Sequence, residues 1–226
     1  MTFEILPVDA KEPLPEDVRE IEGARLQVDD FDAEGKRYLK MTIGLPLPSG
    51  DRRERVVFFH EDAGKLRMLG FHSIKRKVAG LEGETLVFDT GTPNPLRNEQ
   101  SRVLHVPADS YSYLALTFAL RGLAAAPKPI DASLWHGDER TEKVRVVGAG
   151  TEELELLGTK IVSLKLEVHG GTPDAVAAIY WYAATAPHSF LQYEGPADFV
   201  TAEATIPRIR LRATSSSDQR RKFFGG

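Results

Sequence analysis

The sequence predicts a mainly β fold, in which a strongly curved antiparallel sheet forms an incomplete β-barrel (a β-roll) around one buried α-helix. Apolar and polar residues alternate with the period of a strand along most of the chain. Turn-forming residues separate these alternating segments at close spacing, which is typical of consecutive hairpins. Residues 109–124, in contrast, have the composition of an apolar helix.

The first half of the chain is predicted to form two hairpins and a further strand. Gly35 lies in the turn of the first hairpin, and Asp62-Ala63-Gly64 forms the turn of the second. Residues 56–59 are all apolar, so that strand carries apolar side chains on both faces. The predicted strands are 24–29, 37–45, 53–60, 66–73 and 81–89.

The second half repeats the pattern. Gly148-Ala149-Gly150 is predicted to be a turn between two strands. In a later strand, Tyr180 and Tyr182 are predicted to face the side opposite to Trp181, because successive side chains alternate between the faces. The predicted strands are 142–147, 151–157, 161–168, 177–183, 189–194 and 206–212.

The predicted helix begins near Asp109 and Ser110, which are good N-cap residues, and ends where Gly122 interrupts it. Its apolar side chains lie nearly all round the helical wheel, which indicates burial on most sides. In a β-rich chain, the concave side of a curved sheet is the natural place for such a helix. The apolar stretch 111–126 is shorter than the ~20 residues that a membrane-spanning helix needs.

Aromatic side chains on the helix and on the apolar strands are the candidate ligand-binding residues. If the helix closes a cavity in the curved sheet, these side chains would line it and bind a lipid or another apolar molecule. Their alternative role is ordinary core packing. The candidates are Phe58, Phe71, Tyr111, Phe118 and Trp181.

The sequence shows no catalytic, nucleotide-binding or metal-binding motif, so no catalytic residue, metal ligand or cofactor is predicted. His136 and His188 lie beside aromatic strand ends and support a weaker hypothesis, a hydrolase. Ser110, His188 and Asp109 are a conceivable triad, although nothing in their spacing requires one.

Composition limits the classes of molecule that the protein is expected to bind. A formal net charge of −4 argues against nucleic-acid binding, and the absence of cysteine excludes disulfides and cysteine-ligated metals. Arg208, Arg210 and Arg212 occupy one face of a strand, which is either a solvent-facing row or a stripe that binds anions or lipid headgroups. Residues 21–212 are predicted to form a single domain, between an extended arm (1–20) and a flexible tail (213–226).

Two stretches resemble a bacterial, usually exported family, the domain of unknown function 3108. They are DSYSYL through ALR (109–121) and IYWY through PHSFLQYEGP (179–196). The strand–proline–strand order of the second is also similar to the outer-membrane lipoprotein carrier families. The resemblance implies a half-open β-barrel with one helix against it and no assigned catalytic residue.

The resulting hypothesis is a non-enzymatic protein of the periplasm or cell envelope that binds or carries a lipid. The alternative is a structural or protein-interaction domain with a filled core and an envelope protein as partner. A cytoplasmic location is the other option, because the chain begins without an apolar signal segment.

Overall fold

The structure, a computed structural model, describes residues 2–8, 24–33, 35–46, 52–62, 65–77, 80–89, 94–122, 128–136, 140–156, 158–171, 175–196 and 208–215. The strands are β1 (Thr2–Pro7), β2 (Ala24–Ala33), β3 (Lys36–Pro46), β4 (Arg52–Asp62), β5 (Lys65–Lys77), β6 (Gly80–Asp89), β7 (Arg102–His105), β8 (Ser110–Tyr111), β9 (Ile130–Trp135), β10 (Thr141–Leu156), β11 (Thr159–His169), β12 (Val176–Ala183), β13 (Phe190–Pro196) and β14 (Arg208–Ser215). The helix α1 spans Tyr113–Ala119, and a 3₁₀ turn, Leu120–Gly122, follows it.

All of these strands belong to one sheet, in the order β7-β6-β5-β4-β3-β2-β1-β14-β13-β12-β11-β10-β9-β8. The chain therefore forms two successive meanders that meet in the middle of the sheet, where β1 pairs with β14. Neighbouring strands are antiparallel, except for the outermost pairs β6–β7 and β8–β9, which are parallel. The predicted mainly β class is confirmed, with a parallel pair at each edge that alternation does not reveal.

The sheet must curl, because its two opposite edges are consecutive in sequence. Only residues 106–109 separate β7 from β8, and so short a connection spans at most about 18 Å. On the inside of the curl, the Tyr111 hydroxyl of β8 donates a hydrogen bond of 2.7 Å to the Leu66 carbonyl of β5. A side chain thus links the two halves at this seam, and the sheet is barrel-like without being closed by its strand ladders.

The helix lies inside the curl, as predicted, but the predicted start of 109–124 is wrong. Its N-cap is Ser112, whose hydroxyl accepts from the Ala115 amide at 3.1 Å. Ser110 instead pairs with Ser133 of β9, and the Asp109 carbonyl accepts from the Ser133 amide at 3.0 Å. Strand pairing with a distant segment has outcompeted local helix capping.

The predicted turn at Gly148–Gly150 is also wrong, because β10 continues through it as one strand of 16 residues. Ala149 and Gly150 together lie opposite Lys165 of β11, where the register shifts between Gly148 and Thr151. This arrangement is a β-bulge, and Gly150 has a φ of +92° there. A bulge bends a strand and increases its twist without reversing the chain.

The structure also changes the ends of the predicted domain. Residues 2–7 of the predicted arm form β1, which pairs with both β2 and β14. The last strand continues to Ser215, so the first residues of the predicted tail belong to the sheet. The rest of the arm and of the tail, and residues 206–207, lie outside the described residues.

Apolar side chains fill both faces of the sheet. The inner core, on the side of α1, contains Phe3, Met41, Ile43, Leu45, Phe59, Met68, Phe88, Leu116, Leu120, Tyr180, Tyr182 and Tyr193, all below 2% exposure. On the opposite face, the first outer cluster comprises Tyr38, Val56, Phe58 and Leu69, with Phe31, Ala33 and Leu96 against it. The second outer cluster comprises Leu156, Trp181 and Leu191, with Leu154, Ile161, Ile179 and Ala183 against it.

Candidate functional site

The structure places the four predicted ligand residues whose side chains it describes in different parts of the molecule. Tyr111 and Phe118 pack against the inner core, Phe58 belongs to the first outer cluster and Trp181 to the second. Phe71 lies in β5, and its side chain is outside the described residues. Since these residues lie on both sides of the sheet, the described ones cannot line one common cavity.

The two residues on the inner side belong to the packing of the interior. Tyr111 forms the seam with Leu66, and burial raises the pKa of Tyr111, with a further increase from Asp109. The Phe118 ring packs against Phe59 with ring centroids 5.7 Å apart. These positions fit the alternative role of core packing.

The two residues on the outer side belong to separate clusters. The Phe58 ring lies 5.8 Å from that of Phe31 and 5.1 Å from the His72 imidazole. The Trp181 indole N–H donates to the Glu152 carboxylate and packs against Leu191. Phe58 and Trp181 are each less than a tenth exposed, because side chains from elsewhere in the chain cover their rings.

The centre of the barrel is held by tyrosine hydroxyls that reach the helix backbone. Tyr180 donates to the Tyr113 carbonyl at 2.9 Å, and Tyr182 donates to the Thr117 carbonyl at 2.9 Å. Both face the side opposite to Trp181, as alternation predicts. Carbonyls in the last turn of an α-helix lack α-helical partners, and the Tyr182 hydroxyl donates to one of them.

The end of the helix is anchored by the turn between β12 and β13. The Arg121 side chain donates through Nε to the Pro187 carbonyl at 2.8 Å. Burial raises the pKa of Tyr182 well above its ordinary value, although the positive charge of Arg121 partly opposes this. The helix is therefore fixed along its length by hydrogen bonds as well as by apolar contacts.

The histidines of the hydrolase hypothesis have structural partners. Nε2 of His136 lies 3.1 Å from the Glu142 carboxylate, and both side chains are more than a third exposed. His188 adopts a positive φ of 52°, and its Nδ1 lies 3.0 Å from the Ala183 carbonyl. Ser110 is fully buried, whereas a nucleophile needs access to its substrate. The structure thus gives the set Ser110, His188 and Asp109 no catalytic arrangement.

A polar cluster that the sequence does not indicate joins β9 and β10 beside β8. Lys143 Nζ donates to the Ser133 hydroxyl at 2.8 Å, and that hydroxyl donates to the Asp109 carboxylate at 3.2 Å. Ser133 is fully buried, whereas the Lys143 side chain is 73% exposed. Lys143 also pairs with the Asp109 carboxylate at 3.6 Å, so the cluster links β10 to β9 and to the start of β8.

The arginine row of β14 lies on the outer face, and protein groups engage all three guanidinium groups. Arg208 donates to the Ala177 carbonyl at 2.9 Å, Arg210 pairs with Glu194 at 2.9 Å, and Arg212 donates to the Glu155 carbonyl. An open depression of about 450 Å³ beside the row is lined by Glu4, Glu155, Gly158, Arg212, Ala213 and Thr214. Its lining is mainly polar, unlike the apolar pocket that a lipid chain requires.

Comparisons with known proteins do not assign the chain to a family. No protein-family model matches the chain, and no curated protein matches it. The chain is similar to a crystal structure described as a β-barrel-like protein of the domain of unknown function DUF1849 from Brucella abortus, with 10% identity, 93% of each chain covered and a TM-score of 0.37. Membership in the domain of unknown function 3108 is therefore not shown, and the description of the fold rests on the structure of this chain alone.

Two further features are absent from the part of the chain that the structure describes. No helix in the described part of the chain has the length and apolarity needed to cross a membrane. Among the same residues, no three histidine or acidic side chains are close enough to hold a metal ion.

Proposed function

We propose that this chain is a non-enzymatic structural or protein-interaction domain of the cell envelope, with an interior filled by its own side chains. Its surface, rather than a cavity, would make the functional contacts. A filled barrel of this kind resembles a packed core in its energetics, because burial of apolar side chains stabilises it without a ligand.

The observation that carries this proposal is the occupation of the barrel centre by α1. Leu116 and Leu120 are 1% exposed, and Tyr180 and Tyr182 close over the helix from β12 with both hydroxyls bonded to its carbonyls. A lipid carrier needs an apolar space that its cargo can enter. Here the helix occupies the place where a cargo would lie.

An unpaired strand edge supports the interaction role. Along the side of β6 that faces β7, pairing covers only Leu86–Asp89, so residues 80–85 have no neighbouring strand there among the described strands. Exposed edges of this kind accept an extended segment of another protein by main-chain hydrogen bonds. We assign such a segment of a partner protein to this edge.

Lipid carriage is the second candidate, and one observation favours it. The seam between β8 and β5 is bridged by a side-chain hydrogen bond, from the Tyr111 hydroxyl to the Leu66 carbonyl, and these two strands are not paired with each other among the described strands. Opening there would expose the apolar inner core, into which an acyl chain would fit only if α1 moved out.

Lipid analysis distinguishes the two candidates. The full chain is purified without detergent, extracted with organic solvent and examined by mass spectrometry, and its melting temperature is measured with and without fatty acids and phospholipids. The filled domain yields no stoichiometric lipid and no shift in melting temperature. A lipid present at about one molecule per chain, together with a shift, would establish the carrier instead.

A further inference from the structure

We propose that the first outer cluster is an acid-sensitive clasp, which holds β2–β5 and residues 94–101 together near neutral pH and loosens when its imidazoles are protonated. Two histidines, His60 and His72, lie within this cluster of aromatic rings. The cluster belongs to the outer face and plays no part in the proposed interior, so the inference is independent of the proposed function.

His72 lies in β5, with Val56 of β4 on one side and Thr85 of β6 on the other. Its ring centroid is 5.1 Å from that of Phe58. Burial lowers the pKa of His72 below its ordinary value near 6.5, because an imidazolium loses hydration in this apolar setting. The neutral imidazole therefore fits the folded cluster, and the cation does not.

His60 lies in β4 between Tyr38 of β3 and Arg67 of β5. Its ring is 5.4 Å from the Tyr38 ring, and its Nδ1 is buried without a hydrogen-bond partner among the described residues. Protonation makes both ring nitrogens donors, and one of them would have no acceptor.

Charged groups on the same face do not favour an added proton overall. On β5, Arg67 lies opposite His60, and Lys40 of β3 lies opposite Phe58. Glu54 precedes Val56 on the same face of β4, and Asp29 of β2 lies opposite Lys40. Asp89 of β6 and Arg97 of the segment 94–101 pair with each other at 3.8 Å on the same side. The three cations and the three carboxylates balance in sign, and β6 presents the neutral Thr85 to His72. Burial is therefore the deciding factor.

The cluster also carries residues 94–101. Leu96 packs against it, and the Asn94 amide donates to the Leu69 carbonyl at 2.8 Å and to the Phe88 carbonyl at 3.2 Å. These carbonyls lie just beyond the point where the β5–β6 ladder ends, at Gly70 and Val87. Loosening the cluster thus frees both the segment and the end of that ladder.

Hydrogen exchange on the full chain tests the clasp. Protection of backbone amides is measured at pH 7.5 and 5.5 and corrected for intrinsic exchange rates. We expect residues 56–60, 67–72 and 94–98 to lose protection at pH 5.5, by up to about tenfold for each pH unit below the ordinary histidine pKa. Residues 179–183 and 190–193, at the second outer cluster, should keep theirs. Equal protection at both pH values, or a uniform loss over both clusters, would overturn the proposal.

Substitutions identify the groups responsible. His60→Phe and His72→Phe keep an aromatic ring and remove the proton site, so the double variant should lose the pH dependence. The control is His136→Phe, because His136 pairs with Glu142 at 3.1 Å outside the first outer cluster, so the pH dependence at residues 56–60, 67–72 and 94–98 should stay unchanged. If the double variant does not fold, the His72 imidazole is titrated by NMR in the wild-type chain. Titration at or above pH 6.5 would refute the clasp, and so would pH dependence that persists in a folded double variant.

Discussion

The two outer clusters lie on the same face of the sheet, and a different kind of segment covers each of them. The first is aromatic and contains imidazoles, and residues 94–101 reach it through Leu96. The second is aliphatic around Trp181 and is covered by the far end of the β10–β11 hairpin, which ends in Leu156. A hairpin keeps its own ladder while it covers a surface, whereas a loop depends on its side-chain contacts. We therefore expect the first cluster to open more readily than the second.

Each half of the sheet contains a β-bulge near its outer cluster. In the second half, the bulge at Ala149–Gly150 bends β10, and the Arg212 side chain of β14 then donates to the Glu155 carbonyl near the hairpin tip. In the first half, β5 carries a bulge at Leu69–Gly70, opposite Phe58 of β4, where the register shifts between Phe58 and Phe59. Both bulges depend on a glycine with positive φ, but only one of these glycines is sterically locked.

The largest effect is expected at that locked glycine. Gly70 has a φ of +148°, and a Cβ there would lie 2.1 Å from the Leu86 carbonyl oxygen. Gly70→Ala should lower the free energy of unfolding by about 3–5 kcal/mol, because backbone atoms must move. Urea denaturation measures it. In the control Gly35→Ala, φ is +72° with no atom within 4 Å, so the loss should be about 1–2 kcal/mol. Equal losses in the two variants would contradict this account of the bulge.

The second outer cluster is tested at its central ring. Trp181→Ala removes a ring that is 5% exposed and should lower the free energy of unfolding by about 3–5 kcal/mol. Amides of residues 154–161 should lose protection from exchange, since the tip of the hairpin loses the ring against which it packs. Val162→Ala is the control, because this hairpin side chain is 55% exposed and should change stability by no more than about 0.5 kcal/mol. Unchanged protection at the tip in Trp181→Ala would show that the ring does not hold the hairpin.

The inner core is expected to respond to alkali rather than to acid. Burial raises the pKa of Tyr182, so the folded state holds its hydroxyl proton more firmly than the unfolded chain. Its contribution is fully present below the unfolded value near 10 and is lost as the pH rises through the folded pKa. Tyr182→Phe should cost about 1–2 kcal/mol at pH 7 and should lessen the loss of stability above pH 10. Chemical denaturation at pH 7, 9 and 10.5 measures both effects, and an unaltered alkaline slope would contradict the burial of the Tyr182 hydroxyl as the cause.

The smallest effect is expected at the cover of the first outer cluster. Leu96 is only partly buried there, so Leu96→Ala should lower the free energy of unfolding by about 1 kcal/mol. Hydrogen exchange should show a local loss at residues 67–69 and none at residues 190–193. A loss spread equally over both halves would mean that the two covers are not independent.

Much of the sheet follows from the alternation of side chains, but the division of its two faces does not. The apolar residues at 56–59 correctly predict a strand buried on both sides. Whether the outer side of this strand lines a cavity or is covered by another segment depends on Leu96, which lies far along the chain. The same holds for Trp181 and Leu156. Alternation within one strand carries no information about which distant segment folds over it, so Phe58 and Trp181 were interpreted as ligand residues.

The start of the helix shows the same limit. Asp109 and Ser110 have the local chemistry of N-caps, yet β9 recruits this segment as β8. The bulge at Gly150 was hidden for a related reason, because a glycine pair fits a turn as well as a bulge. In both places a long-range pairing, absent from the local pattern, decided the outcome.

The filled interior is tested most directly by enlarging a side chain at its centre. Ala115 of α1 is fully buried, so Ala115→Leu should lower the free energy of unfolding by about 1–3 kcal/mol, because the added atoms have no space. Ala175→Leu, at an exposed position, should change it by less than about 0.5 kcal/mol. If Ala115→Leu leaves the stability unchanged or raises it, the barrel contains unfilled space and the account is wrong.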